Sequence, residues 1–566
     1  MKNSIKHITL VLVAALSFVG CKGFDEMNKN PYALYDTNAE SFVQPILYNA
    51  EYRIIDNNYD VLAAIMQYTV STNYENSAQL AYNYVISETY TQSLWTLYNQ
   101  FGNAQYMLDK ARKEENPAMV GVALVLRSFI AHVLTDTYGN VPYSKAGMIA
   151  LQGDKFDYTT PYDKQKDIYI DLLRSLEEAN ACFAKAEEMV EVGSLTDNNF
   201  NPLCDFMYDG NVDKWRRFGN SLYLRLLMRV SLKVMEESDG IVSLGDEFGD
   251  ISVIAKMNEL YDCYLSGGGN YPLMRGLEDS ARVGFSANDS ALYTPFYSTT
   301  GGNWNSQAAC STLVDMMIKK YSSTDELNST WDPRYFRYFT KSVGAPTQIM
   351  RSDMKKFFEE QISSAGNSRI GRYPRGAYTG EHIGDLKNGS SYAIMNYDEI
   401  LFLFAEAGAR NWIPMGQKAY KDLYLEANLQ NILQWQVGWE TEKDYYTASS
   451  QEVINWIDYL DNEFDYNKSL EIIMRQKYVA MFWVGVESWA DYRRTGYPIL
   501  KTNGPAAENK GILPTRLRYP ATEAFQNAKW HSEALNDWLG GENNMQTDVW
   551  WASTAESQAL RRLGRQ

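Results

Sequence analysis

Apolar residues recur at the spacing of one helix face on both sides of a stretch so rich in glycine and proline that no long regular element crosses it. That contrast sets the fold class. The stripe Leu172, Leu173, Leu176, Ala179 and Phe183 follows Thr160, Pro161 and Asp163, an order that suits a helix with proline at its first position. Ile400, Leu403, Phe404 and Ala407 repeat the i, i+3, i+4, i+7 spacing and stop before Pro414, and Leu470, Ile473, Met474 and Met481 follow a similar pattern. Helical patterning also covers residues 41–135 and 160–235. Between 264 and 310, by contrast, Gly267, Gly268, Gly269, Pro272, Pro295, Gly301 and Gly302 surround Tyr264, Tyr271, Phe285 and Tyr293, and a second irregular stretch, 363–395, carries Arg372, Tyr373, Arg375, Tyr378 and Tyr392. The expectation is a mostly α chain with a loop-rich insertion, since long irregular segments in globular proteins tend to carry function.

The first 21 residues have a separate logic. Lys2 and Lys6 precede an apolar run from Ile8 to Val19, then Gly20 and Cys21. The run is shorter than the roughly 20 residues that span a bilayer, and the basic, apolar, small-residue order is that of a secretory leader cut before Cys21. A leader ending in Gly-Cys is similar to a bacterial lipobox, with Phe18 standing where most such boxes carry Leu; the new amino-terminal Cys21 would be acylated and tethered to a membrane. The alternative is an ordinary secretory leader followed by a structural cysteine. We read 1–20 as signal, 21–40 as a polar tether and 41–566 as one body, with no later run of 18 consecutive apolar residues.

The formal charge of −17 becomes −19 without Lys2 and Lys6, and so acidic a surface repels phosphate backbones, which excludes nucleic acid as a partner. The 41 tyrosines and 14 tryptophans exceed what a core needs, and many lie in Gly- and Asn-rich stretches. Flat rings with a polar tip suit partly wet recognition surfaces. Cys182, Cys204, Cys263 and Cys310 form no Cys-x-x-Cys, and their pairing stays open between several connectivities and free thiols.

Several segments together resemble the SusD/RagB family of nutrient-binding outer-membrane lipoproteins, in its second, SusD-like branch. They are Phe24-Asp25-Glu26-Met27-Asn28-Lys29-Asn30-Pro31; Leu126-Arg127-Ser128-Phe129 with Thr135-Asp136-Thr137-Tyr138-Gly139-Asn140-Val141-Pro142-Tyr143; Trp215 with Phe218, Asn220, Ser221 and Leu222; Tyr397-Asp398-Glu399 with Ala405-Glu406-Ala407; and Arg475-Gln476-Lys477 through Gly485-Val486-Glu487-Ser488-Trp489 to Asp491-Tyr492-Arg493-Arg494, then Arg518-Tyr519-Pro520, Glu523 and Asn527. The resemblance implies four helical hairpins in a superhelical, TPR-like scaffold (about 41–260 plus later helices), a loop-rich binding lobe (about 261–395) and a C-terminal helical region (396–566). It further implies an outer-membrane, outward-facing location, a SusC-type TonB-dependent transporter as partner, and an oligosaccharide as ligand. A peptide ligand on the same scaffold, or a gating lid without its own ligand, are the rival readings.

A sugar ring needs a flat face to lie on and polar groups at its edge. The resemblance points to the loop after the second helix, which here carries Asn73, Tyr74, Asn76, Tyr82, Asn83 and Tyr84; the irregular middle adds Tyr293, Phe296, Tyr297, Asn303 and Trp304. Arg225 and Arg229 lie on one face of a helix whose Trp215, Phe218, Leu222 and Leu226 form a core stripe, so they are expected to pair with internal carboxylates; Arg493 and Arg494 beside Asp491 read as a structural clamp. Catalysis finds no support: His132, His382 and His531 stand in no metal spacing, there is no Gly-x-Ser-x-Gly elbow or phosphate loop, and Asp136 paired with another acid is the sole glycosidase-like thought. No cofactor is expected; structural calcium stays open, since oxygen-rich loops are common here although no EF-hand pattern appears.

Overall fold

The computed structural model describes residues 37–71, 84, 86–152, 157, 159–285, 295, 307–319, 330–339, 391–435, 446–500 and 512–564. Helix α1 (Val43–Asn57) leads to a hairpin of α2 (Tyr98–Lys113) and α3 (Pro117–Tyr138), which is followed by α4 (Gln165–Glu191), α5 (Val212–Ser238) and α6 (Val253–Ser266). After the loop-rich region come α7 (Tyr397–Ala409) and α8 (Gln417–Gln434), then α9 (Gln451–Asn462), α10 (Ser469–Ala480) and α11 (Gly485–Thr495), and finally α12 (Ala528–Trp538) and α13 (Ala555–Leu563). Neighbours in sequence pack as antiparallel pairs: α2 with α3, α4 with α5, α7 with α8. The fold is mostly α-helical, as the patterning indicated, and built of helical hairpins, as the resemblance implied. Among the described residues strands occur as two-stranded antiparallel ladders only.

The centre of the body is α3. Asn116 caps it by accepting the Met119 amide at 3.2 Å, Pro117 supplies a preset φ at its first position, and Gly139 ends it at φ +83. A Cβ on Gly139 would lie 1.8 Å from the Trp538 ring, so this position demands glycine twice over. Although α3 is long and apolar enough to cross a membrane, all of it is buried between α2, α4 and α5, so its hydrophobicity serves the core. Helix α4 begins at Gln165, four residues later than Pro161 suggested. Tyr162 and Asp163 pair instead with Val141 and Pro142, and the Asp163 carboxylate accepts the Tyr143 amide at 3.0 Å and the Ser144 amide at 2.9 Å. Asp163 is a turn staple because it has those amides to satisfy, and Asn140 takes over the start of the helix by accepting the Gln165 amide at 2.9 Å.

Inside this helical stack lies a dense ionic cluster. Arg225 of α5 grips Glu399 of α7 with two bonds of 2.7 and 2.6 Å and reaches Glu487 of α11 at 3.4 Å. One turn on, Arg229 pairs with Glu487 and lies 3.1 Å from Asp136 of α3, while His132 of α3 contacts Glu487 at 2.9 Å. These side chains are all buried, so the basic stripe on α5 faces internal carboxylates as its core-flanked spacing indicated. Asp136 is fully buried, its Oδ1 accepting Tyr169 at 2.5 Å and Trp551 at 2.8 Å while its Oδ2 faces Arg229 at 3.1 Å, so it pairs with a cation and not with a second acid. The Arg493–Arg494 clamp divides its labour: Arg494 is bidentate to Glu406 of α7 at 2.6 and 2.7 Å and reaches Asp491 at 2.9 Å. Arg493 donates to the carbonyls of Asp136 and Thr515 at 2.5 and 3.0 Å, its guanidinium stacked 3.7 Å over Trp489.

Burial alone would push the Glu487 carboxyl up, but Arg225, Arg229 and His132 hold it well below its usual 4.5; Glu406 is likewise raised by burial and pulled far down by Arg494 and Arg410. Acids whose folded pKa is depressed bind fewer protons folded than unfolded, so the stability they add is full above about pH 4.5. It drains as pH falls toward their folded values. Glu487→Ala, which takes from the buried Arg225 and Arg229 one of the two carboxylates facing each, is expected to cost about 3–5 kcal/mol in urea unfolding at pH 7. Glu406→Gln should flatten the loss of stability between pH 4.5 and 3 relative to the parent; an unchanged acid slope contradicts this assignment.

Candidate ligand-binding site

Two features could hold a ligand, and the first is a junction where loops are rooted. Strand β1 (Thr69–Ser71) pairs with the strand Gln307–Ala309 so that Ser71 stands opposite Gln307. The stretch that carries Tyr74 leaves from Ser71 and the one that carries Trp304 returns at Gln307, so the two aromatic loops singled out in the sequence share one root. Gln307 locks it, accepting the Thr69 hydroxyl at 2.9 Å and donating at 2.8 Å to the carbonyl of Tyr59, inside the π-turn Asn58–Leu62 that follows α1. Beneath it is a floor of rings: Tyr68 stacks on Tyr478 at 4.4 Å, Tyr338 on Phe482 at 4.4 Å, and Phe339 and Trp435 pack against the same Phe482. Residues 340–390 depart from Phe339 and 436–445 from Trp435, so further stretches of chain issue from the same floor. Gln67 and Tyr84 sit here at φ 56 and 61, unusual for residues with a Cβ, and the Gln67 amide donates to the Tyr84 hydroxyl at 3.1 Å. Such backbone costs on the order of 1–3 kcal/mol per residue and persists where packing dictates it.

The second feature is a cleft of about 510 Å³ between the start of α2 and the segment before α12, lined by Trp95, Tyr98, Pro142, Thr160, Glu523 and Asn527 among others. Trp95 and Tyr98 are three residues apart and share a wall, with ring centroids 5.0 Å apart. Trp95 is braced from behind by Tyr138 at 4.9 Å and Tyr519 at 5.9 Å, both edge-on. The Tyr98 hydroxyl is fixed by donating to the Pro142 carbonyl at 2.6 Å, which leaves its ring to serve as a face. Opposite stands a polar rim. Tyr162 donates to Glu523 Oε2 at 2.7 Å and Asn527 Nδ2 to the Thr160 carbonyl at 2.8 Å, so Glu523 Oε1 keeps no hydrogen bond among the described residues and the buried Asn527 Oδ1 has none either. Burial, then the neighbouring Glu523, pushes the Tyr162 phenol far up, so it stays a proton donor at any physiological pH. Rings on one side and unspent acceptors on the other are what a sugar's C–H face and hydroxyl edge require. A wider depression of about 930 Å³ runs along α6 past Asn258, Glu259 and Asp262, but no ring lines it.

Asn73, Tyr74, Asn76, Tyr82, Asn83, Tyr293, Phe296, Tyr297, Asn303, Trp304 and the acylation candidate Cys21 lie outside the described residues. Tyr84 is inside, and the expectation that its ring meets a ligand is corrected: it is 0% exposed, and its hydroxyl is used by Gln67. Cys182, Cys204, Cys263 and Cys310 are free thiols, and among the described residues no three His, Cys, Asp or Glu side chains gather to hold a metal. Trp95, Tyr98 and Glu523 were not picked as site residues from sequence. The i, i+3 aromatic pair was a visible signal, but Glu523 lies more than 420 residues further on and no linear pattern joins them.

The sequence profile of a SusD-like family, described as starch-binding and associating with the outer membrane, matches residues 31–520. No curated protein matches the chain. Among solved structures, a chitin-binding protein is similar at 20% identity with TM-score 0.66, covering 91% of this chain and 99% of its own. A SusD homologue from Bacteroides fragilis is similar at 19% identity and TM-score 0.66, covering 91% and 100%, and a chitin-binding SusD homologue from Flavobacterium johnsoniae at 20% and 0.62, covering 92% and 98%. At these identities the likeness is one of fold.

Because the Tyr84 hydroxyl meets Gln67 inside the core, Tyr84→Phe should cost about 1 kcal/mol in denaturant unfolding and leave ligand affinity unchanged. A loss of affinity without loss of stability would put Tyr84 back among the ligand contacts.

Proposed function

The chain belongs to the SusD-like family of starch-binding proteins that associate with the outer membrane, and from that premise we propose that it captures oligosaccharides on the Trp95–Tyr98 wall and hands them to a SusC-type TonB-dependent transporter. The cleft carries this reading: a braced indole and a pinned phenol face Glu523 and Asn527, each with an oxygen left unbonded. Trp95 supplies the surface on which a pyranose ring lies, and Glu523 Oε1 and Asn527 Oδ1 accept its hydroxyls. Tyr74, Tyr293, Phe296, Tyr297 and Trp304, with Asn73, Asn76, Tyr82 and Asn303, supply further rings and amides for longer chains.

The protein acts without catalysis. Acylated at Cys21 and facing outward, it holds ligand weakly above the transporter mouth and raises the local concentration there, so uptake needs avidity of position more than tight affinity. Wall and rim come from opposite ends of the chain, which keeps their spacing set by the scaffold and not by any one loop.

Calorimetric titration of the mature protein with starch- and chitin-derived oligosaccharides, beside a mixed peptide pool, tests this. Binding of at least one oligosaccharide series is expected, weakened about tenfold (~1.4 kcal/mol) by Trp95→Ala and several-fold by Glu523→Gln, with Trp304→Ala and Tyr74→Ala affecting longer chains more than short ones. Glu523→Gln keeps the Tyr162 acceptor and guards against mistaking unfolding for lost contact. Binding of peptides alone, or of sugars undiminished in both Trp95→Ala and Glu523→Gln, overturns the assignment.

A further inference from the structure

The loop at 199–211, between α4 and α5, is wired more tightly than a connector needs. Asp205 sits buried at its centre: Oδ1 accepts the amides of Met207 at 2.9 Å and Tyr208 at 3.2 Å, and Oδ2 accepts the Gly210 amide at 3.1 Å and the Trp215 indole N–H at 2.8 Å. Asn201 opens the short turn Pro202–Cys204 by accepting the Leu203 amide at 3.1 Å. Gly210, at φ +76, lets the chain double back where a Cβ would sit 2.1 Å from the Phe200 carbonyl oxygen. What this wiring holds outward is apolar. Leu203 is 78% exposed and Phe206 41%, with Pro202 exposed beside them. A preorganised loop that keeps such side chains in water gains nothing from them within its own chain, which marks a contact surface.

Its position names the occupant. The Asn201 amide donates to Glu40 at 3.1 Å and the Phe206 amide to Gln44 at 2.8 Å, so the loop is clamped to the turn Ala39–Phe42 and to the start of α1. Cys21 stands 16 residues ahead of Thr37. A linker of that length spans roughly 22 Å as a flexible coil and at most about 55 Å extended. An acyl chain on Cys21 therefore holds Thr37, and with it the loop clamped beside Glu40, within that reach of lipid. Exposed Asp197, Asp209 and Asp213 flank the tip, so it meets lipid through leucine, phenylalanine and proline and not through charge.

We propose that Pro202, Leu203 and Phe206 form an apolar tip that enters the interface of the bilayer holding Cys21. The tether alone restrains distance. Adding the tip would restrain orientation as well, turning the body's opposite faces away from the lipid. This rests on the reading of Cys21 as acylated, and the experiment separates the two.

Acylated full-length protein and its L203W variant are reconstituted in phosphatidylcholine vesicles with and without lipid brominated near the headgroup. Flotation of the parent with the vesicles reports the anchor. The extra fluorescence that L203W adds over the parent is expected to fall at least twofold with brominated lipid, and L203W should titrate with oligosaccharide as the parent does. Flotation without extra quenching overturns the tip and leaves Leu203 and Phe206 to a protein partner. Failure of the parent to float overturns the anchor and the tip together, whatever the sugar titration gives.

Discussion

Everything else in this body depends on Glu487 being charged and surrounded. Its carboxylate lies on α11 and is reached by Arg225 and Arg229 from α5 and by His132 from α3, partners 258 to 355 residues away. Bringing that many ionised groups out of water is costly, and their mutual attraction repays it only if every helix arrives in register. A slip of one residue in α5 would turn both arginines away from α11. The cluster thus rewards one arrangement of helices and penalises the others, a specificity that apolar packing alone supplies poorly.

The cleft inherits its geometry from that arrangement. Trp95 is braced by Tyr138, the last residue of α3, and by Tyr519, whose hydroxyl donates to the Asn140 carbonyl at 2.6 Å just beyond the end of α3. Arg516 donates to the Tyr138 carbonyl at 3.1 Å and the Leu517 amide to that of Thr137 at 2.9 Å, so the chain after 512 is laced onto the end of α3 before it reaches Glu523. Arg493 completes the link, holding the Asp136 and Thr515 carbonyls together. From Glu487 to Asp136 to Tyr138 to Trp95, the path is one of packed rings and satisfied carbonyls, which is how a scaffold fixes a ring against a carboxylate hundreds of residues away.

Much of this was legible in the sequence. The stripes that gave α4, α7 and α10 were periodic enough to stand alone, and the arginines of α5 were flanked by Trp215 and Leu222 in a way that pointed inward. The Thr135–Tyr143 and Arg518–Pro520 segments stood out through family resemblance, and the structure supplies the reason: they are the two sides of the lacing around the end of α3. The start of α4 was misplaced because Asp163 had two competing uses and satisfied the Tyr143 and Ser144 amides. Tyr84 reads as a loop aromatic among asparagines, yet Gln67 draws it into the core, a long-range event that linear patterning does not register. Trp95 and Glu523 escaped notice for the same reason: what makes them a site is proximity created by the fold.

The central claim, that a sugar lies on Trp95 with its hydroxyls toward Glu523, is tested most directly by a crystal structure of the mature protein with a starch- or chitin-derived oligosaccharide that binds it in solution. The account requires one pyranose ring stacked on the Trp95 indole with a hydroxyl within hydrogen-bond distance of Glu523 Oε1. A fully ordered oligosaccharide bound elsewhere, with Trp95 bare, contradicts it.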